Sequence, residues 1–465
     1  MNFGEIYTFN QTAMKIYSIN PYNGEHIAEY DTWDIKKLEN SFLYASSAYK
    51  RWKKTSLEER ASKMLVLSEK LLENKIHYAR LISLEMGKLI QEAIAEVEKC
   101  ASVCKYYAEN ASSILEEKHY QTEAKESYLR YEPIGAVLGI MPWNFPFWQV
   151  FRYAVPVMMA GNVTLLKHAP NVWSCALALE QLFEEVGFPK GVFQSVFIEI
   201  DLVEKIISNP LVQGVTFTGS EKAGRSVASL AGKYGKKSVL ELGGSDAFVV
   251  LKDADLNLAA KTAVQSRMAN AGQTCIAAKR WIVEEVVADD FIQLALNHIS
   301  SLKIGNPLEQ NTTFAPMARL DLAENVERQY WASLKAGAKS LLPHQRQGTH
   351  YSPNLITNVL PSTTAFEEEI FGPLAVVISA QNETEAIDLA NQTSFGLGAS
   401  LWTKDLDKVK KLVPEIDAGS VFVNSLVKSD PRMPFGGIKR SGYGRELGVY
   451  GLYEFSNIKT VWMNE

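Results

Sequence analysis

The first 118 residues carry apolar side chains at helical spacing. Between residues 34 and 52, apolar residues such as Leu38, Phe42 and Ala45 recur every three or four positions, which predicts an amphipathic helix. Ser56 and Glu59 have the spacing of a capping box that opens a second helix, reaching about residue 73. A third helix is predicted over 88–117, and alternating polar and apolar residues after position 119 predict an edge hairpin.

From residue 134 onwards, short apolar runs alternate with helical patterns. Strands are predicted over 136–141, 163–167, 192–197 and 214–217, with helices near 147–159 and 172–186. A second series follows residue 242, with strands over 247–251, 281–284, 374–379, 398–402 and 420–424 and helices from 255, from 287 and over 383–391. Val/Ile/Leu runs that alternate with helices predict parallel, doubly wound α/β sheets, which bind ligands at the carboxyl ends of their strands. The alternating tail, 453–462, predicts an added strand.

Composition places the chain among ordinary globular proteins. Of its 465 residues, 46% are hydrophobic and 22% charged, which excludes a disordered, collagen-like or disulfide-stapled chain. The length predicts two or three domains. The formal net charge of −5 offers no positive surface to a phosphate backbone, so we expect no nucleic-acid partner.

The apolar stretch 134–166 has the hydropathy of a membrane span but not its continuity. Pro142, Pro146 and Pro156 interrupt it and Arg152 places a charge within it, whereas a spanning helix needs about 20 uninterrupted apolar residues. We therefore expect buried protein interior and no membrane partner. The first residues have neither a basic n-region nor an apolar h-region, so a cytoplasmic location is expected.

One of the four cysteines is a candidate nucleophile. Cys100, Cys104, Cys175 and Cys275 are too few and too scattered for a disulfide framework, and no metal site is predicted. Cys275 follows the small residues of segment 270–274, where a substrate can approach the backbone closely. The alternative is an inert packing residue, because free cysteines are commonly buried. A thiol with a pKa near about 8.5 needs a base or a positive field to act as a nucleophile.

Two polar residues at strand ends are candidate partners for that thiol. Glu241 ends an apolar strand, where desolvation raises the pKa of a carboxylate toward the range of a general base. The alternative is a carboxylate bonded to the amides of the following glycines. Asn144 lies between two prolines that fix its backbone, which suits an oxyanion donor but equally a helix cap.

A third strand end is a candidate phosphate site. Strand 214–217 leads through Thr218, Gly219 and Ser220 into a helix, and amides at a helix N-terminus bind phosphate. Taken alone, the segment is equally an ordinary capped helix.

Six motifs occur in order and together are far more specific than any one of them. They are Pro142-Trp-Asn-Phe-Pro146, Phe217-Thr-Gly-Ser220, Glu241-Leu-Gly-Gly244, Gly272-Gln-Thr-Cys275, Glu369-Ile-Phe-Gly-Pro373 and Pro434-Phe-Gly-Gly437. From about residue 20 to its end, the chain resembles the aldehyde dehydrogenase superfamily. Lys167-His-Ala-Pro170 and Ser429-Asp-Pro-Arg432 most resemble the short bacterial succinate-semialdehyde dehydrogenases.

The resemblance implies two Rossmann-like α/β domains and a small β arm for oligomerisation. We therefore expect residues 1–118 and 134–241 in a cofactor-binding domain and residues 242–418 in a catalytic domain. Residues 119–133 and 448–465 are expected in the arm, and 419–447 as a return segment to the cofactor domain that also carries a substrate loop. A homodimer or homotetramer is implied.

The resemblance also implies a reaction, the oxidation of a small aldehyde to its acid. Cys275 would attack the aldehyde, with the oxyanion held by the Asn144 amide and the Cys275 backbone N–H. Hydride transfer to the nicotinamide would leave a thioester, which water activated by Glu241 would hydrolyse.

The implied cofactor is NAD or NADP. Lys167 is expected on the adenosine ribose, next to His168, Ala169 and Pro170, and Glu369 on the nicotinamide ribose. Gly219 and Ser220 are expected on the pyrophosphate, and the cleft walls would include Trp143, Leu242 and Phe371. Many NAD-preferring members carry a Glu where Pro170 stands, so no preference is expected here, and His168 is expected to tolerate a 2′-phosphate.

The expected substrate is succinate semialdehyde, which carries a distal carboxylate. Arg152 lies eight positions after Asn144, on the helix that lines the substrate tunnel in relatives, and is expected to hold this carboxylate. Gln149 and Phe145 are expected beside it, with Arg432 or Lys428 as a second cation. The alternative for Arg152 is a structural ion pair. Two further functions stay open, a thiol hydrolase or acyl transferase and a catalytically silent structural homologue.

Overall fold

The computed structural model of the chain describes residues 14–464. Within them the strands are β1 (Lys15–Ile19), β2 (His26–Asp31), β3 (Lys118–His119), β4 (Glu126–Pro133), β5 (Ala136–Met141), β6 (Val163–His168), β7 (Phe193–Ser195), β8 (Val212–Thr218), β9 (Lys237–Glu241), β10 (Ala247–Val250), β11 (Arg280–Glu284), β12 (Lys339–Ser340), β13 (Arg346–Gln347), β14 (His350–Tyr351), β15 (Asn354–Thr357), β16 (Leu374–Ala380), β17 (Gly398–Trp402), β18 (Ser420–Val423), β19 (Gly442–Tyr443) and β20 (Ser456–Met463).

Helices cover the sheets and open with side-chain caps at several positions. They are α1 (Ile35–Trp52), α2 (Leu57–Glu73), α3 (Lys75–Met86), α4 (Ile90–Ile114), α5 (Trp148–Met159), α6 (Trp173–Glu185), α7 (Val203–Ser208), α8 (Glu221–Lys233), α9 (Leu256–Met268), α10 (Glu285–Ser300), α11 (Leu320–Lys335), α12 (Thr364–Glu367), α13 (Glu383–Asn391), α14 (Leu406–Leu412) and α15 (Gly448–Tyr453). Ser56 accepts from the Glu59 N–H at 3.1 Å and so caps α2 as predicted.

Two parallel sheets form the body of the chain, as the strand pattern predicted. The first has the order β19-β9-β8-β5-β6-β7, and the second β12-β15-β16-β11-β10-β17-β18. Only the short edge strands β19 and β12 run antiparallel to their neighbours. Every residue of β6, β10, β11 and β17 is buried, which explains why short apolar runs mark these strands in the sequence.

A third sheet of three antiparallel strands stands apart in the order β20-β4-β3. Its outer strand β20 pairs with β4 along eight residues. The hairpin and the added C-terminal strand that alternation predicted are therefore both present.

Some segments differ from the prediction. The third helix starts at Ile90 rather than at residue 88, because Lys88 turns inward to a buried ion pair with Glu96. Helices α3 and α11 were not predicted. The strand at 420–423 pairs with β17 in the second sheet, so the chain returns to the first sheet only at β19. Both strands lie within the predicted return segment, 419–447, and the division into domains stays a prediction.

Candidate active site

A cavity of about 540 Å³ lies where the carboxyl ends of β5, β6, β8 and β9 meet residues from the second sheet. Thirteen of the predicted site residues line it: Trp143, Asn144, Gln149, Lys167, His168, Ala169, Gly219, Ser220, Glu241, Leu242, Cys275, Glu369 and Phe371. Arg319, Leu322 and Asn325, near the start of α11, also line it and were not predicted. This is the location expected for a ligand in a parallel sheet.

Cys275 is the only partly accessible cysteine, whereas Cys100, Cys104 and Cys175 are buried. Burial raises the pKa of Cys275 to about 12, and the charges of Arg152 and Lys279 oppose that rise. The resting group is therefore a thiol at neutral pH. It needs a proton acceptor before it can attack a carbonyl.

Glu241 is a buried carboxylate without a hydrogen bond. Its side chain is 2% exposed, and neither carboxylate oxygen has a partner within the described residues. Burial raises its pKa to about 8, with Arg152 lowering the pKa and Glu446 raising it. The alternative of a Glu bonded to the following glycine amides is therefore wrong. A carboxylate with a pKa near neutrality is suited to accept a proton.

Asn144 is held by a hydrogen bond to the loop that carries Cys275. Its Nδ2 donates to the Gln273 carbonyl at 2.9 Å, and its own carbonyl accepts from Asn270 Nδ2 at 2.9 Å and from Lys88 Nζ at 2.8 Å. Helix α5 begins with Phe147 as its cap, so Asn144 is not a helix cap. One amide proton is thus fixed and the orientation of the second is set, which is the preorganisation that an oxyanion donor requires.

The cavity also has the features that a dinucleotide requires. Ser220 caps α8 without a side-chain bond to the helix, which leaves the first amides of α8 available to a phosphate. Lys167 is a mostly buried cation whose pKa is lowered by burial, and no ion pair joins it to a carboxylate within residues 14–464. Trp143 and Phe371 meet edge to face at 5.9 Å on the cavity wall. These residues fit a nicotinamide dinucleotide.

Glu369 is positioned by a glycine and a lysine. Its Oε1 accepts from the Gly244 N–H at 3.1 Å and lies 3.3 Å from Lys279 Nζ. A methyl group at Gly243 would collide with the Glu369 carboxylate. A larger residue at position 243 would therefore displace the Glu369 carboxylate.

His168 contributes no charge to the cavity. Its Nε2 bonds the Pro146 carbonyl at 2.8 Å and its Nδ1 accepts from the Ala169 N–H at 2.9 Å. Burial lowers its pKa to about 4, so the ring is neutral. The ring therefore offers no positive charge to a 2′-phosphate, and its tolerance of one stays a prediction. Pro170 is exposed and does not line the cavity.

The predicted carboxylate clamp is also corrected. Arg152 is buried, its Nε pairs with the Glu446 carboxylate, and Nη2 lies 3.3 Å from Thr218 Oγ1. Thr216 donates to Glu446 Oε1 at 3.0 Å, which completes the network. Because Arg152 has a carboxylate partner and does not line the cavity, it is a structural ion pair, the alternative that the sequence left open.

The other predicted substrate contacts lie outside the cavity. Arg432 pairs with Asp430 at 2.7 Å with its side chain 75% exposed, and Lys428 is exposed. Phe145 stacks under the Lys88 ammonium at 3.6 Å from the ring centroid. Of the predicted substrate residues, only Gln149 lines the cavity.

Lys99 is a further cation near the start of α5 that was not predicted from the sequence. Lys99, on α4, donates from Nζ to Ser429 Oγ at 2.8 Å and lies 4.1 Å from the Trp148 ring centroid. Trp148 Nε1 donates to the same hydroxyl at 3.2 Å. Burial and the Arg152 charge lower the pKa of Lys99 to about 8. Among the described residues, no carboxylate forms an ion pair with Lys99.

No three His, Cys, Asp or Glu side chains of residues 14–464 group as a metal site. In the same range, no helix combines the length and apolar character that crossing a bilayer requires.

Known proteins resemble the chain along nearly its whole length. The profile of the aldehyde dehydrogenase family matches residues 7–461. A Synechocystis sp. protein named as a probable succinate-semialdehyde dehydrogenase (NADP+) is 44% identical, over 97% of this chain and 100% of the relative. The Escherichia coli succinate semialdehyde dehydrogenase Sad (NAD(P)+) is 42% identical, over 96% and 97%.

Solved structures agree in fold. The succinic semialdehyde dehydrogenase of Streptococcus pyogenes, crystallised with NADP+, superposes with a TM-score of 0.95 at 34% identity, covering 97% of this chain and 100% of that one. With this match, the ordered motifs and the cavity at the strand ends, the chain belongs to the aldehyde dehydrogenase family and is an NAD(P)-dependent aldehyde dehydrogenase.

Proposed function

We propose that this enzyme oxidises succinate semialdehyde, or a semialdehyde of similar length, to the dicarboxylic acid. The observation that carries the proposal is the Lys99 ammonium, which forms no ion pair with a carboxylate among the described residues. A partly buried lysine without a carboxylate partner loses hydration that no opposite charge replaces, and a bound anion would offset that cost. Ser429 Oγ accepts from both Lys99 and Trp148, so its own hydroxyl proton is available to a substrate carboxylate.

The relatives support the same assignment. The proteins from Synechocystis, Escherichia coli and Streptococcus pyogenes carry names that specify succinate semialdehyde. Lys99, Trp148 and Ser429 do not themselves line the cavity, but Trp148 precedes Gln149, which does. Their donors form a positive, hydrogen-bonding site at this end of α5, which an uncharged aldehyde does not need.

We assign the chemistry to three side chains at the cavity. Cys275 Sγ attacks the aldehyde carbon and its proton passes to Glu241, while Asn144 Nδ2 and the Cys275 N–H hold the oxyanion. A nicotinamide dinucleotide held by Lys167, Ser220 and Glu369 would supply the hydride acceptor. Glu241 releases the proton from Cys275 to solvent, takes a second proton from the water that attacks the thioester, and Cys275 leaves as the thiolate. The raised pKa of Glu241 makes the carboxylate basic enough for both proton transfers.

A substrate panel tests the assignment. We expect kcat/KM for succinate semialdehyde to exceed that for butanal by at least tenfold, with NAD+ or NADP+ as the oxidant. Better turnover of butanal would contradict the proposal. Nicotinamide reduction that disappears in Cys275→Ala excludes the thiol hydrolase and the silent homologue, since neither reduces a cofactor.

Lys99→Met tests the carboxylate site directly. We expect KM for succinate semialdehyde to rise at least tenfold while KM for butanal stays unchanged, because a charge-assisted hydrogen bond contributes about 1.5 to 3 kcal/mol. Lys105→Met is the matched control, since Lys105 lies on the same helix and pairs at the surface with Glu109. Equal changes for the two aldehydes would remove Lys99 from substrate binding.

We also propose a homo-oligomer and a cytoplasmic location. The exposed outer strand β20 carries Ile458 and Trp462 at the surface, and an unpaired edge strand favours association. Four free thiols, one of them the proposed nucleophile, require reducing surroundings. Light scattering of the purified protein tests the first point, since a monomer would contradict it. Fractionation of cells tests the second.

A further inference from the structure

Lys279 is a buried cation beside the candidate nucleophile, and the reaction just described does not use it. Its side chain is 2% exposed. Its Nζ donates to the Cys275 carbonyl at 2.6 Å and to the Thr274 carbonyl at 3.0 Å, and lies 3.3 Å from Glu369 Oε1. The three ammonium protons therefore have three acceptors. Lys279 does not line the cavity, although Cys275 and Glu369 do.

The bond to Thr274 fixes a group that the reaction requires. The Thr274 carbonyl and the Cys275 N–H belong to one planar peptide unit, in which they point in opposite directions. An ammonium that holds the carbonyl on one side therefore directs the N–H to the other. That N–H is one of the two proposed oxyanion donors.

The contact with Glu369 links this peptide to the other side of the cavity. Glu369 also accepts from the Gly244 N–H, and Gly244 follows the segment that carries Glu241. One ammonium thus contacts both the loop of the nucleophile and the carboxylate that the resemblance places on the nicotinamide ribose.

We propose that Lys279 is a positioning residue that holds the Cys275 peptide and Glu369 in a fixed relation, so that oxyanion donor and cofactor carboxylate are aligned together. The inference rests on the proposed role of Cys275. The positive charge of Lys279 also affects the thiol, because it opposes the rise that burial causes in the pKa of Cys275. The same charge acts on the buried Asp246 carboxyl: burial raises the pKa of Asp246, and Lys279 lowers it.

The first test measures the thiol. Alkylation of Cys275 by iodoacetamide, followed against pH without cofactor, reports the thiolate fraction. We expect Lys279→Met to slow alkylation at pH 8 about tenfold, which corresponds to a rise of one in the pKa, and Lys279→Arg to restore most of the rate. Lys408→Met is the control, because Lys408 forms an ion pair with Glu383 elsewhere. A Lys279→Met profile that superposes on the wild type would overturn the proposal.

The second test measures coupling to Glu369. We expect Lys279→Met to raise KM for the cofactor about tenfold in the wild-type background and to add little in Glu369→Gln, since the lysine acts through that carboxylate. Additive effects in the double variant would contradict this link.

A third variant keeps the proposal testable if Lys279→Met does not fold. Glu369→Gln alone retains the ammonium and removes a carboxylate that raises the pKa of Cys275, so alkylation should become faster. An unchanged rate would count against the proposal. The proposed function fails separately, if the wild-type enzyme does not reduce NAD(P)+ with any semialdehyde.

Discussion

Glu241 should destabilise the folded enzyme whenever it is charged, and Glu241→Gln should remove that cost. Burial raises its pKa from the usual 4.5 to about 8. Between those values the folded protein keeps a proton that the unfolded chain has released. Stability therefore falls as pH rises, by about 1.4 kcal/mol for each pH unit, and stops falling above pH 8. At pH 8.5 the charged carboxylate costs the fold on the order of 4 kcal/mol.

The melting temperature measures this cost. With an unfolding entropy of about 2.1 cal/mol/K for each residue, a chain of this size gains roughly 1 °C for each kcal/mol. Glu241→Gln should therefore melt about 4 °C above the wild type at pH 8.5, relative to their difference at pH 5. Any effect of the amide on packing changes the melting temperature equally at both pH values, so it cancels in this comparison. Glu69→Gln, an exposed substitution, is the control. An equal difference at both pH values would refute the reasoning, because Glu241 would then ionise normally.

Three further changes test the network around the cavity. Arg152→Met leaves the buried Glu446 carboxylate without a cation, and breaking a buried ion pair costs about 3 to 5 kcal/mol. We expect a lower melting temperature and an equal loss of kcat/KM for succinate semialdehyde and butanal. A loss confined to succinate semialdehyde would support Arg152 as the carboxylate clamp after all. Gly243→Ala should displace Glu369 and raise KM for the cofactor about tenfold in steady-state kinetics, and an unchanged KM would show that the collision is relieved cheaply. Pro170→Glu should raise KM for NADP+ more than KM for NAD+, because a carboxylate repels a 2′-phosphate; equal changes would place residue 170 away from the ribose.

Much of the fold is readable from the sequence because the pattern has a single physical cause. Strands buried on both faces are mainly apolar, and β10 is apolar throughout. The residues at their carboxyl ends then share one edge of the sheet. This brought Asn144, Glu241 and the segment before α8 to one cavity, as the motifs predicted.

The partners of buried charges could not be predicted in this way. Arg152 and Glu446 are far apart in sequence, and only the tertiary structure shows that they meet. In the sequence pattern, Lys99 is an ordinary polar position of a helix, and Lys279 is a charged residue just before a buried strand. One feature of the sequence could have indicated Lys279. It lies four residues after Cys275 and directly before a buried strand, where an ammonium needs hydrogen-bond acceptors nearby.

The pairing of Thr216 with Glu446 also has a consequence for biosynthesis. These residues are 230 positions apart, so at about 5 to 20 residues per second the ribosome needs roughly 10 to 50 s to deliver the second after the first. Until then, the guanidinium of Arg152 has no counter-ion in the first sheet, and strand β19 has not joined its edge. The first sheet, most of which is synthesised early, is therefore complete only when the last strand to join it, β19, has been synthesised.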